Sequence, residues 1–180
     1  MQRALVVGYG NVYRRDDGVG CAVAQALCER LYGVPFPPDE DGSGQLGRAI
    51  DVLRLHQMVP HLAETISHYP VVVFVDARAT SLCESIQLCP VAAERHAEPM
   101  SHCAHPASLL ALTRRLYDTE PLCFVCSVAA HDLGHGEGLS AQTSGIVPQA
   151  VERILGLLSQ RLEDSQAPDR FFAAIADAAC

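Results

Sequence analysis

Two adjacent carboxylates, Asp16 and Asp17, lie in a glycine-rich segment that follows a short apolar run. The run is Ala4–Val7 and the segment, residues 8–20, reads GYGNVYRRDDGVG. A single acid before a helix is usually solvated or interacts favourably with the helix dipole. A pair of acids flanked by glycines is more suggestive of a metal site, because carboxylates are hard ligands for divalent ions.

A third carboxylate, Asp76, closes the apolar run Val71–Val75. Apolar residues at every position predict a parallel strand covered on both faces. Asp76 is therefore expected at the carboxyl edge of a sheet, where open α/β folds bind their ligands and where the loop of Asp16 and Asp17 also opens. The alternative, that Asp76 caps a helix or braces a loop, fits this residue equally well when it is considered alone.

Two histidines, His102 and His105, come just before Pro106, a residue that favours the first position of a helix. They are therefore expected at the same edge. Two carboxylates and one imidazole from three loops form a divalent metal site with open positions for a substrate ligand. The spacing alone does not choose between the two acids or between the two histidines.

A second group, His131, Asp132 and His135, lies in a glycine-rich segment. A solvated loop is favoured there, and a metal site or a lid is the alternative. Other chemistries are disfavoured. The third glycine of a dinucleotide fingerprint is replaced by Tyr13, and the sequence has no P-loop, no Gly-x-Ser-x-Gly and no His-Glu-x-x-His.

The elements that must position these residues alternate between strands and helices. Strands are predicted at 4–7, 49–55, 71–75, 84–91 (antiparallel, at an edge) and 122–129, and helices from 18, 60–67, 106 and 148. This order predicts an α/β three-layer sandwich, with a mostly parallel twisted sheet of about five strands and helices on both faces. Residues 1–163 form one domain, and residues 164–180 form a tail that is either a docked helix or disordered.

Composition narrows the partners and the compartment. The formal net charge is −8 and no run of Lys or Arg occurs, which disfavours nucleic acid and anionic membranes as partners. No signal-peptide core and no apolar stretch of about 20 residues is present, so we expect a cytoplasmic protein. We further expect it to be a monomer. We also expect eight free thiols, since the C-x-x-C at Cys123 and Cys126 falls in a strand that turns the two thiols to opposite faces.

Four segments, in order over residues 4 to about 160, resemble motifs of the hydrogenase maturation proteases. They are Val7–Asn11 with Asp16–Gly20, Val73–Ala77, Ser101-His102 with Pro106 and Leu109-Leu110, and Gly136–Ser140 with Val147-Pro148. The resemblance implies an aspartic-type endopeptidase that removes the C-terminal extension of a [NiFe]-hydrogenase large-subunit precursor after nickel insertion.

By position, the resemblance assigns the metal contacts to Asp17, Asp76 and His102, with Asp17 and Asp76 also catalytic. Many family members carry Glu where this chain has Asp17, so Asp16 stays an alternative ligand, and His105 is a rival to His102. Expected substrate-binding residues are Asn11, Asp16, His105 and His131. The nickel is expected to be carried by the substrate, with zinc or cadmium as substitutes in vitro.

Two other functions use the same residues. A nickel-sensing or metallochaperone module for hydrogenase assembly would bind the metal without cleaving anything. A metal-dependent hydrolase of a small molecule would hold its metal without a protein substrate.

Overall fold

The computed structural model describes residues 3–33, 44–45, 47–79, 84–92 and 105–163. Its strands are β1 (Ala4–Tyr9), β2 (Gly44–Gln45), β3 (Ile50–Leu55), β4 (Val71–Ala79), β5 (Ile86–Val91) and β6 (Leu122–Ala130). Its helices are α1 (Val19–Tyr32), α2 (Leu62–Ser67), α3 (Pro106–Tyr117) and α4 (Ala141–Glu163), with a short 3-10 turn at Arg15–Gly18. The predicted tail and His102 lie outside the described residues.

The strands form one sheet in the order β2-β3-β1-β4-β6-β5. The four central strands are parallel, and β2 and β5 pair antiparallel at the two edges. The predicted parallel sheet and its antiparallel edge strand, β5, are confirmed. The two-residue β2 is a sixth strand, which was not predicted because no apolar run marks it in the sequence.

Helices cover both faces of the sheet, which confirms the three-layer prediction. The helices α1 and α4 bury their apolar side chains on one face, and α2 and α3 bury theirs on the other. Cys123 belongs to the core under α2 and α3, whereas Cys126 belongs to the core under α1 and α4. The two thiols of the C-x-x-C therefore face opposite sides of β6, and both are free.

Two predicted boundaries were wrong. Asp76 does not close β4, because pairing with β6 continues to Ala79 and Ala130 and leaves Asp76 inside the strand. The last helix begins at Ala141, so Pro148 lies within it. An early start is possible because Ser140 and Thr143 anchor the first turn through hydrogen bonds to a buried carboxylate, described below.

The helix α3 buries one face and exposes the other. Leu109, Leu110 and Thr113 are buried, whereas Leu116 is 60% exposed. The helix packs against α2, and the Thr113 hydroxyl is buried there 3.3 Å from the carbonyl oxygen of Ala63.

Within the described part of the chain, no helix is both long enough and apolar enough to cross a membrane.

Glycines let α1 begin directly against the sheet. A Cβ added to Gly20 would overlap the carbonyl oxygens of Tyr9 and Val75, and one added to Gly8 would overlap the carbonyl oxygen of Gly20. The glycines of residues 8–20 thus serve the close approach of a helix to two strands. This contact holds the loop before α1 over the carboxyl ends of β1 and β4.

Candidate functional site

The candidate site lies beside the neighbouring strands β1 and β4, after which the chain continues to helices on opposite faces of the sheet. After β1 the chain enters α1 on one face, and after β4 it runs through β5 to α3 on the other. Such a divergence opens a crevice at the carboxyl edge of a parallel sheet, the usual ligand position in this class of fold.

Asp76 stands on the α3 side of this crevice. Side chains alternate along a strand, and Val72 and Phe74 belong to the core under α2 and α3, so Asp76 shares their face. The Asp76 carboxylate is half-buried and accepts hydrogen bonds from the Tyr9 hydroxyl and from the Ala77 backbone N–H. Asp76 is therefore held in place and still partly accessible.

The surroundings of Asp76 act on its charge in opposite directions. Burial raises the pKa of the Asp76 carboxyl above its ordinary value and outweighs the hydrogen bonds from Tyr9 and Ala77, which lower the pKa. The negative charge of Asp17 raises it further, and His105 lowers it. Asp17, Asp76 and His105 thus lie close enough to interact electrostatically.

Asp17 reaches the crevice from the turn before α1. One of its carboxylate oxygens, Oδ2, accepts the Asn11 backbone N–H at 3.0 Å, which closes the loop between them. Gly10 has a φ of +140°, and a Cβ there would overlap the Asp17 carbonyl oxygen. The Asn11 side-chain oxygen accepts the Tyr13 backbone N–H at 2.9 Å, so Asn11 shapes this loop. Its predicted contact with substrate stays a prediction.

Asp16, the neighbouring acid, is completely buried and is surrounded by donors. Its carboxylate accepts five hydrogen bonds of 2.6–2.8 Å. The donors are the backbone N–H groups of His131, Asp132 and Ser140 and the hydroxyls of Ser140 and Thr143. One side chain therefore joins the β1–α1 loop to the segment between β6 and α4.

This network decides between the two adjacent acids. Burial alone would raise the pKa of Asp16, but the donors from Ser140, Thr143 and Asp132 outweigh burial and lower the pKa well below its usual range. A buried carboxylate bonded on both oxygens is a structural element. The expectation that Asp16 contacts the substrate or replaces Asp17 as a ligand is therefore corrected: Asp17 is the acid at the crevice.

The histidines occupy different places. His105 is exposed at the N-terminus of α3, where its backbone N–H donates to the Ser108 hydroxyl at 3.0 Å. His131 is exposed, and its Nδ1 lies 3.0 Å from the Thr143 hydroxyl, beside the Asp16 network. The roles predicted for His102, His105 and His131 stay predictions. Within the described parts of the chain, no three His, Cys, Asp or Glu side chains are grouped closely enough to hold a metal ion.

The segment after β6 closes against the β1–α1 loop by further contacts. Arg15 N donates to the Gly136 carbonyl at 3.0 Å, and Gly136 N donates to the Tyr13 carbonyl at 3.0 Å. The Arg15 side chain pairs with Asp132 at 3.4 Å. Residues 131–140 are thus fastened to the loop that carries Asp17, although most of them are exposed, as in the solvated loop favoured from the sequence.

A groove of about 380 Å³ opens beside Asp17 on the α1 side. Its lining is Val12, Arg15, Gly18, Cys21, Ala22, Gln25, Arg54, Gly138 and Leu139. Val12, which lines it, and the neighbouring Tyr13 are 42% and 63% exposed. The groove therefore combines apolar and basic side chains next to the loop that carries Asp17.

Sequence reasoning missed Tyr9, Ser140 and Thr143. Tyr9 has the same strand parity as the buried Leu5 and Val7, which was a usable signal for its face. Ser140 and Thr143 resemble ordinary polar residues at a helix start, and nothing in their spacing connects them with Asp16.

Comparison with known proteins places the fold. No protein-family model and no curated protein matches the chain. The Escherichia coli structure described as hydrogenase maturating endopeptidase HybD matches with a TM-score of 0.65 and 17% identity, over 89% of this chain and 94% of that one. The Thermococcus kodakarensis [NiFe] hydrogenase maturation protease HybD matches with a TM-score of 0.59 and 20% identity, over 87% and 99%.

The chain has the fold of the hydrogenase maturation proteases. A third structure, the [NiFe] hydrogenase maturation protease HycI from Thermococcus kodakarensis, matches with a TM-score of 0.56 and 19% identity, over 91% of this chain and 94% of that one. The maturation-protease fold accounts for nearly the full length of each of these proteins, so the fold expected from the resemblance is confirmed.

The buried carboxylate of Asp16 gives a stability prediction. Asp16→Asn should lower the free energy of unfolding at pH 7 by roughly 2–4 kcal/mol, because the amide nitrogen faces donors that need an acceptor. Because the folded-state pKa of Asp16 is lowered, its ionised form stabilises the fold fully above the ordinary value of 3.8. This stabilisation is lost as the pH falls from there toward the folded-state pKa. Urea unfolding across pH 2–7 measures it.

Asp132→Asn is the matched control, since Asp132 is the adjacent acid in this network but its ion pair with Arg15 is about half exposed. Its effect should stay within about 1 kcal/mol at all these pH values. Equal stability of Asp16→Asn and the unsubstituted chain at pH 7 would contradict the role given to Asp16.

Proposed function

We propose that this chain is an endopeptidase that removes the C-terminal extension of a [NiFe]-hydrogenase large-subunit precursor once nickel is in place. The observation that carries the proposal is the pair of carboxylates, Asp17 and Asp76, at the crevice between β1 and β4. The shared fold with structures described as hydrogenase maturation proteases supports it.

Nickel enters this proposal as part of the substrate. Asp17, in the turn before α1, and Asp76, in β4, are hard oxygen ligands, and His102 is the proposed third ligand. A set of two carboxylates and one imidazole leaves coordination positions open, so it suits a metal that another protein already holds. The three side chains complete the coordination of nickel and thereby position the precursor's extension in the crevice.

Peptide cleavage requires a polarised carbonyl and a water nucleophile. A divalent metal beside the scissile bond supplies either the polarisation or the activated water. The half-buried Asp76 and the crevice loop of Asp17 exclude part of the solvent, which strengthens electrostatic interactions there. Asp17 and Asp76 are the proposed catalytic residues because they are the carboxylates nearest to this crevice.

The groove beside Asp17 is the proposed path for the extension. In this proposal an extended peptide, which advances about 3.3 Å per residue, passes from the crevice into the groove lined by Val12, Ala22 and Leu139. We further propose that the enzyme is a cytoplasmic monomer.

The metal state of the precursor should control cleavage. The purified chain should shorten nickel-loaded precursor and leave metal-free precursor intact, because Asp17 and Asp76 contact the peptide only through the bound metal. Gel mobility and the intact mass of the large subunit measure this, and zinc- or cadmium-loaded precursor extends the series.

Cleavage of metal-free precursor at the same rate as nickel-loaded precursor would contradict the recognition of nickel by Asp17, Asp76 and His102. Binding of loaded precursor without any shortening would instead indicate the metallochaperone function. Tight metal binding with hydrolysis of small esters or amides and no action on the precursor would indicate the small-molecule hydrolase.

Single substitutions distinguish the roles of the two histidines before α3. His102→Ala should slow cleavage by about 100-fold or more, as expected for loss of a group that holds the reacting centre. His105→Ala should retain most activity, because the hydrogen bond from the backbone N–H of His105 to Ser108 survives the change. Rates on nickel-loaded precursor measure both variants. A larger loss in His105→Ala would transfer the ligand role to His105, which lies near Asp76.

A further inference from the structure

Tyr9 lies at the crevice but has no role in the proposed function as described so far. It ends β1, is half-buried, and packs against the core under α2 and α3. Its hydroxyl hydrogen bonds to the Asp76 carboxylate. Tyr9 thus touches one of the two carboxylates that define the site.

The strand register explains why these side chains meet. Gly8 of β1 pairs with Val75 of β4, so the next residues, Tyr9 and Asp76, stand side by side on neighbouring strands. Asp76 in turn pairs with Ser127 of β6. In a parallel sheet, residues at the same level point to the same face, so the three form a row on the face covered by α2 and α3.

Two donors determine the orientation of the Asp76 carboxylate. One is the backbone N–H of Ala77, which the fold supplies whatever the side chains are, and the other is the Tyr9 hydroxyl. With the backbone donor alone, the carboxylate can rotate about its side-chain bonds. Loss of a group that hydrogen bonds to a metal ligand typically costs about 10- to 100-fold in metal affinity or activity.

We propose that Tyr9 is a positioning residue that orients the Asp76 carboxylate toward the metal-bearing substrate. The inference rests on the proposed function, since that function gives Asp76 its substrate contact. Tyr9 itself touches neither the metal nor the peptide in this role, and it acts through its hydroxyl on Asp76.

The chain offers a matched tyrosine at the opposite side of the fold. The Tyr69 hydroxyl donates to the Asp51 carboxylate at 2.7 Å, and Asp51 is completely buried and also bound by Arg3 and the Arg48 backbone N–H. Arg3 immediately precedes β1, and Asp51 is the second residue of β3, so both lie at the amino edge of the sheet. Tyr69→Phe therefore removes the same kind of tyrosine–aspartate bond without touching the crevice.

The experiment compares Tyr9→Phe with Tyr69→Phe in two measurements. On nickel-loaded precursor, Tyr9→Phe should lower kcat by about 10- to 100-fold with little change in KM, as for lost partners of metal ligands. Zinc alone is also titrated into each variant, with the NMR shifts of the Asp17 and Asp76 amides as the readout. The zinc affinity of Tyr9→Phe should be about tenfold lower than that of the unsubstituted chain. Tyr69→Phe should lower the thermal midpoint and leave kcat and zinc affinity within about twofold of the unsubstituted chain.

Unchanged kcat and zinc affinity in Tyr9→Phe would overturn the inference, as would equal losses in both variants. If the unsubstituted chain does not cleave the precursor, the proposed function is wrong and the zinc titration alone decides the role of Tyr9. A weaker zinc affinity in Tyr9→Phe would then support the positioning of Asp76. Absence of both cleavage and zinc binding in the unsubstituted chain would overturn both proposals.

Discussion

The buried carboxylate of Asp16 is the interaction on which the site depends. A charge removed from water is costly unless hydrogen bonds replace its hydration, and Asp16 satisfies this condition only with donors from His131, Asp132, Ser140 and Thr143. The β1–α1 loop can therefore reach its native shape only when the segment after β6 and the first turn of α4 are in place.

This constraint determines what Asp17 can do. Adjacent residues in a tight turn point in different directions, so a buried Asp16 leaves Asp17 at the crevice, where its Oδ2 accepts the Asn11 N–H. The glycine contacts of α1 with β1 and β4 hold the same turn from below. Asp76 needs no such arrangement, because a regular strand already carries it to the edge of the sheet.

The sequence was most informative where function follows from local pattern. The apolar run at Val71–Val75 was sufficient to place β4 and to bring Asp76 to the carboxyl edge. The choice between Asp16 and Asp17 was not local, because it depends on donors more than 110 residues away in the chain. The start of α4 was missed for the same reason: its first turn is anchored by Asp16, whereas Pro148 suggested a later beginning. Tyr9 escaped notice because its partner becomes visible only when the register of β1 on β4 is known.

Hydrogen exchange of three backbone amides tests the role of Asp16 most directly and needs no substrate. The N–H groups of His131, Asp132 and Ser140 donate to the buried carboxylate. They should therefore exchange as slowly as amides of the central strands, through opening of a large part of the fold. The amides of Leu133 and Glu137, exposed residues of the same segment, are the internal reference. Exchange of His131, Asp132 and Ser140 at the rate of Leu133 and Glu137 would contradict the claim that Asp16 holds the site together.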